Sequence, residues 1–498
     1  MFCKCIFWYD VIKEVRNMKW MILCERYEGF CKMAVNMVSA AVSDYVDHVI
    51  PVVLPGDEDR FDQREYQCIE LRVVGAGFAD SVAEAPDKSE AYGIYVGDDP
   101  RDASKQLIQI CGRDDRGLFY GAVDFANRYC GSELLGKQDM WRRGFWCDPM
   151  CRRLPHWQVS CAPAIQKRGI WTWGHMIHDY RGFFKNMAKL RLNQIVIWND
   201  HPPINADDVV TYAHAYGIEV IWGFSWGWSQ PQYMTKLLES FDAEAKRQLK
   251  AHILKTYRED YANIAGDGIY FQSFTELFTE EVNGRSIAQL VVELVNDVGG
   301  ALLDEQPQLE LQFGLHAISV KNKQHIIAQT DKRIRIVWED CGVFPFDYRA
   351  DTVVDFDATL EFAKGLLQLR GKEERFGAVL KGMTKLDWFD FHHFVGRYVM
   401  GERSEEYIDR RCVEKAPFWK LIQAGWMKNG GYAAKTIAAI AKGNENAVVQ
   451  ALVEDGMLER EIMLPVAMYA QMLWEPEEDF QELLQQVALW PCVRFGRF

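Results

Sequence analysis

The chain lacks any run of about 18 apolar residues, so no segment reads as a membrane-spanning helix. It also lacks an excess of basic charge: 57 Lys and Arg stand against 71 Asp and Glu, a formal net charge of −14. Nucleic acid and anionic membrane both require a basic face, so neither is expected as a partner. The 13 cysteines are odd in number and scattered from Cys3 to Cys492. That distribution fits reduced thiols in a cytosolic protein better than a disulfide framework. The densest group, Cys147, Cys151 and Cys161, lacks CxxC spacing and has only His156 beside it, so no metal site is expected. The start "MFCKCIFWYDVIKEVRNMKW" interrupts its apolar residues with Asp10, Lys13 and Glu14 and does not read as a signal peptide; Met18 opens the first clean strand pattern.

At 498 residues, 49% hydrophobic and 26% charged, the composition is that of a globular protein of two or three domains. Residues 1–160 read as a small α/β domain with a linker. Its strands are "KWMILCE", "QCIELRVV", "YGIYVG" and "KQLIQICG", and its helices are "FCKMAVNMVSAAVSDYV" and one starting near Leu118 in "GRDDRGLFYGAVDFANRY". The stretch "MWRRGFWCDPMCRRLPHWQVSCAPAIQKRG" is irregular and forms the linker.

From residue 169 short apolar strands alternate with helical stretches, seven times, beginning with "GIWTW", "NQIVIWND" and "IEVIWGFSWGW". Such alternation implies parallel strands. No Rossmann glycine fingerprint accompanies it, so a (β/α)8-type TIM barrel over 161–390 is expected. The eighth strand either lies near "FWKLIQAGW" or is missing. Residues 391–498 read as helical throughout, a bundle suited to packing on the barrel or on a second subunit, as in a homodimer.

Chemistry in such barrels is built where the strands end. These strands end in groups a sugar needs: Trp171, Trp173 and His175; Trp198, Asn199 and Asp200; Trp226; Gln272 and Glu276; His316, Lys321 and Asn322; Trp338, Glu339 and Asp340; Lys381, Asp387 and Trp388. Indole faces stack on the C–H faces of pyranose rings, while carboxylates and amides bind hydroxyls. Cleaving a glycosidic bond needs two carboxyl groups, one protonated as acid and one ionised as nucleophile or base. Glu276, beside Tyr270 and Phe274, suits the acid, because apolar walls disfavour its charged form. Glu339 suits its partner, with Asp340 or Asp387 as the alternative second carboxylate. Neighbouring strand residues alternate faces, so one of Glu339 and Asp340 is expected to point inward unless the strand has already ended. Lys381 is suited to a sugar carboxylate or to a structural pair.

The unit ending in "GRDDRGLFYGAVDFANRY", followed by a barrel opening "KRGIWTWG", resembles glycoside hydrolases related to families 20 and 67, the β-N-acetylhexosaminidases and α-glucuronidases. The resemblance implies a non-catalytic α/β domain ahead of a catalytic barrel, with Glu276 at the acid's position on strand four. Where the family 20 pattern has an Asp-Glu pair, Thr275 precedes Glu276 here. The expectation is a cytoplasmic glycoside hydrolase acting on short oligosaccharides without a cofactor. The alternatives are a divalent-metal sugar isomerase, which the absence of HxxE or ExxH at the strand ends disfavours, and an inactive carbohydrate-binding barrel.

Overall fold

The computed structural model describes residues 19–43, 45–46, 48–75, 81–134, 153–227, 231–240, 242–274, 279–316, 320–340, 356–384 and 396–494. The chain divides into two compact units, residues 1–162 with 489–491, and residues 163–488 with 492–498.

In the first unit, β1 (Lys19–Cys24), β2 (Val52–Val53), β3 (Tyr66–Val73), β4 (Tyr92–Asp99), β5 (Asp102–Gly112) and β6 (Trp157–Cys161) form one sheet in the order β2-β1-β3-β5-β4-β6. β1, β2, β3 and β5 pair in parallel, whereas β4 runs antiparallel to both β5 and β6. Two helices, α1 (Gly29–Ser43) and α2 (Asp115–Asp124), bury their apolar residues in this unit. Asp114 caps α2 by accepting from Gly117 N at 2.8 Å, which satisfies one of the helix's orphan donors. Gln109 Oε1 accepts from Ser81 Oγ and from the backbone nitrogens of Val82 and Ala83, while its Nε2 donates to Glu70. Those bonds make a fully buried amide tolerable.

The second unit is a closed barrel of eight parallel strands. They are β7 (Lys167–Trp173), β8 (Gln194–Trp198), β9 (Glu219–Gly223), β10 (Gly268–Phe271), β11 (Glu310–His316), β12 (Arg335–Glu339), β13 (Phe376–Met383) and β14 (Val448–Val453). The eighth strand corrects the expectation that residues 391–498 are helical throughout. Residues 418–426, considered for that strand, lie inside the helix α8 (Glu405–Gly443), and "VVQALV" closes the ring between β13 and β7. All six residues of β14 are buried, as in a strand covered on both faces. Such a strand shows no polar alternation, so its apolar run also satisfies helical spacing.

Inward positions stack in layers, as barrel geometry requires. A glutamine layer crosses the interior: Gln450 Nε2 donates to Gln194 Oε1 at 2.8 Å and to Gln312 Oε1 at 3.2 Å. Above it, Trp171, Val196, Ile221, Tyr270, Val337, Val379 and Leu452 form a continuous apolar cluster with Trp173 and Trp198. The next inward residues belong to the mouth.

Candidate active site

Alternation along β12 decides which side chains reach the barrel axis. Val337 lies in the interior cluster, so Glu339 also points inward and Trp338 points out. Glu339 is fully buried at the strand's end. Its Oε1 accepts from Tyr270 Oη at 2.5 Å and from Gln272 Nε2 at 2.6 Å, and Lys381 Nζ lies 2.5 Å from Oε2. His316 sits directly beside it in register on β11.

Burial alone raises the pKa of Glu339. The Lys381 ammonium, with the hydrogen bonds from Lys381 and Tyr270, outweighs that and holds the carboxyl below its ordinary value. His316 is pushed down to about 4, first by burial and then by the Lys381 charge, against the pull of Glu339. At neutral pH the group is therefore a carboxylate, an ammonium, a neutral imidazole, a phenol and an amide. Gly314 makes the arrangement possible: a Cβ there meets Tyr270 Oη at 2.4 Å and Glu339 Oε1 at 2.5 Å. Only glycine leaves room for the phenol to reach the carboxylate.

Asp340, just past the strand's end, is also fully buried, and its Oδ1 accepts from Lys381 N at 2.8 Å. It braces β13, the strand that carries Lys381. On strands one and two, Trp171 and Trp198 stack at 6.0 Å between centroids, and Trp173 meets Trp171 edge-on at 4.8 Å. These indoles are no more than 4% exposed and pack against one another instead of presenting open faces. Among the described residues none accepts from the Trp171 Nε1 proton, which is buried.

Two other indoles leave the expected cup. Trp338, facing outward, meets Phe362 of the helix Phe356–Leu367 at 6.4 Å. Trp226 stacks on Phe271 at 3.5 Å, and Phe271 in turn stacks on Phe313, residues that alternate with the inward Tyr270 and Gln312. Both are layer packing, so the expectation that they bind substrate is corrected.

The remaining strand-end residues divide by place. Asn199 Nδ2 donates to His201 O at 2.9 Å, and Asp200 Oδ1 accepts from Ser225 N at 3.1 Å, so both shape the loops after strands two and three. His175 is half-buried with its ring 6.4 Å from Trp173. Lys321 and Asn322 are exposed, Asn322 with a φ of 65°. Lys381, expected to bind a sugar carboxylate or a structural partner, is paired with Glu339. Glu276, Asp387 and Trp388 lie outside the described residues, as do Cys147 and Cys151. Among the described residues no group of three or more His, Cys, Asp or Glu is arranged to hold a metal ion. No helix among them is long and apolar enough to cross a membrane.

Tyr270, read from the sequence only as an apolar wall beside Glu276, donates to Glu339, and the signal for that was present. It stands two residues before Gln272 and so shares its face.

No family model matches the chain, and no curated protein matches its sequence. Among solved structures, a GH138 enzyme targeting pectin rhamnogalacturonan II is similar at 11% identity and a TM-score of 0.43, covering 95% of this chain and 51% of that one. A β-N-acetylhexosaminidase from Bacteroides fragilis is similar at 11% identity and a TM-score of 0.46, covering 94% and 90%. A xylose isomerase domain containing protein from Salmonella typhimurium is similar at 10% identity and a TM-score of 0.29, covering 66% and 97%. The chain spans about half the length of the first of these. Likeness at this level carries no activity across, and the barrel assignment rests on the strand pairing itself.

Proposed function

We propose that the protein is a glycoside hydrolase acting on short oligosaccharides, with Glu339 as the ionised carboxylate and Glu276, after the fourth strand, as general acid. The observation that carries this reading is the buried Glu339, kept charged by Lys381 and oriented by Tyr270 and Gln272 where the sixth strand ends. A carboxylate fixed in this way serves the oxocarbenium-like transition state of glycosidic cleavage, either by attacking the anomeric carbon or by activating a water against it. Lys381 prevents Glu339 from taking the proton that the general acid must keep. Neutral His316 supplies a hydrogen bond to a sugar hydroxyl without adding positive charge beside the developing cation. The resemblance to families 20 and 67 is consistent with N-acetylhexosaminides or uronides as the first substrates to try.

A screen of aryl glycosides, with Glu276→Gln and Glu339→Gln alongside, tests the reading. Turnover of at least one glycoside is expected, together with its loss in both variants. Full turnover by both variants on the best substrate refutes the assignment. A divalent-metal isomerase is the competing reading for a barrel mouth with carboxylates and an imidazole. A chelator abolishes the isomerase's activity and leaves the hydrolase's unchanged.

A further inference from the structure

The helix α8 has two unlike sides. One holds it in its own unit: Ile408, Trp419, Ile422, Trp426 and Ile437 are buried at helical spacing. The other is open and apolar at its middle. Val413, Phe418 and Leu421 fall within nine residues of each other and are 76%, 42% and 49% exposed. Pro417 and Ala424, also exposed, lie one turn before and one turn after Leu421 on the same side. Single hydrophobic residues on a surface need no explanation, but a continuous stripe along one helix marks a contact face.

Charge and shape together identify what covers it. Glu414 stands seven residues before Leu421 and Lys428 seven residues after it, both on the exposed side. A two-fold axis through Leu421, perpendicular to the helix, lays α8 antiparallel to the same helix of a second copy. Residues at equal steps before and after Leu421 then face each other, and every such pair occurs twice. Glu414 meets Lys428, Phe418 meets Ala424, Pro417 meets Gly425, and Leu421 meets itself. Acid thus falls on base and each large side chain on a small one. Arg410 faces Tyr432 in this register and opposes no cation. Both rim charges are accessible. The Glu414 side chain is 50% exposed beside Arg411, and Lys428 makes no ion pair among the described residues. At 1.5 Å per residue the 39-residue helix is about 58 Å long, enough to contribute to the roughly 800 Å² per partner that a stable interface buries.

We infer that the protein forms a two-fold dimer in which α8 packs antiparallel on its copy, with the apolar stripe at the centre and the Glu414–Lys428 pairs at the rim. Association of this kind needs no active site, so it stands or falls separately from the hydrolase activity.

Sedimentation equilibrium of the full chain between about 1 μM and about 100 μM tests it. A dimer is expected in that range. Leu421→Glu puts two carboxylates on the axis and should raise the dimer's Kd at least about 100-fold, with the far-UV circular dichroism of the wild type. Glu414→Lys, which sets like charges against Lys428, should weaken the dimer about tenfold. Adding Lys428→Glu to it should restore the wild-type Kd to within about threefold, a recovery that a merely disruptive substitution does not give. If Leu421→Glu does not fold, Leu421→Ser is read in the same way. A wild type that stays monomeric throughout leaves the stripe to some other occupant and overturns the inference. So does a dimer that survives Leu421→Glu, or a loss in Glu414→Lys that Lys428→Glu does not restore.

Discussion

Replacing Lys381 with Met tests whether Glu339 is held ionised by its neighbour. The ammonium is 7% exposed and the carboxylate not at all, at 2.5 Å. Removing one partner of a buried ion pair costs about 3–5 kcal/mol, because the remaining charge stays buried and unpaired. Glu339 keeps the donors Tyr270 Oη and Gln272 Nε2, so the lower end, about 3 kcal/mol, is expected at alkaline pH. The pH dependence has a definite sign. Without the ammonium, burial dominates and the carboxyl's folded pKa rises above its unfolded value of about 4.3. Stability from such a group is present below the unfolded pKa and is lost as pH rises through the folded one. The variant should thus differ little from wild type near about pH 4.5 and fall progressively behind toward about pH 8. His316 is released in the same variant and should climb from about 4 toward the ordinary imidazole value. Thermal denaturation across that range, with the acid limb of kcat/KM on the best aryl glycoside, measures both effects. A Tm deficit that is constant with pH and an unmoved acid limb refute the electrostatic role, leaving Lys381 as a packed side chain.

Gly314→Ala forces a methyl to within 2.5 Å of Glu339 Oε1 and should cost at least about tenfold in kcat/KM, about 1.4 kcal/mol; an unchanged rate shows that the Tyr270 contact is dispensable. Trp338→Ala should cost about 3–5 kcal/mol in stability with KM unchanged on denaturation and kinetics, and a raised KM in a stable variant returns this indole to the substrate. Glu459 is raised by burial from 4.5 to about 7, against the pull of His178. That raised value corresponds to about 3 kcal/mol, present below about pH 4.5 and lost as pH rises through about 7. Glu459→Gln should therefore gain on the wild type between those limits, and a Tm difference that is flat with pH refutes it.

Much of the barrel was legible because its strands are short, apolar and separated by helical stretches, a pattern few other folds produce. The eighth strand was not, since "VVQALV" is buried on both faces and its apolar run also satisfies helical spacing, although Gly443, Asn444 and Asn446 mark the end of the 39-residue helix before it. At the site, the inward facing of Glu339 was readable from strand alternation, whereas Asp340 lies just past the strand's end, where alternation no longer applies. The same alternation applied to Trp338 turns it away from the mouth, so that error lay in reading the indole's chemistry without its parity. Trp171, Trp173 and Trp198 do face the axis. Whether an axial indole stacks on a ligand or on its neighbours depends on how tightly the ring of strands closes, which no local pattern encodes. The Lys381 pairing was equally hidden, because it joins residues of two strands whose register only the closed barrel sets.

The mouth is uneven around its circumference, and this bears on what it accepts. Strands one and two contribute Trp171, Trp173 and Trp198, an apolar arc packed ring against ring. Strands four to eight contribute Gln272, His316, Glu339, Lys381 and Glu454, where charge is compensated locally: Glu339 by Lys381 and Glu454 by Lys415. A flat nonpolar ligand supplies no hydrogen bonds to the polar arc, which is costly. A ligand rich in hydroxyls replaces those hydrogen bonds, as the glycosidase reading requires, and a bound-sugar structure in which the ring rests away from the Glu339–Lys381 pair refutes that reading.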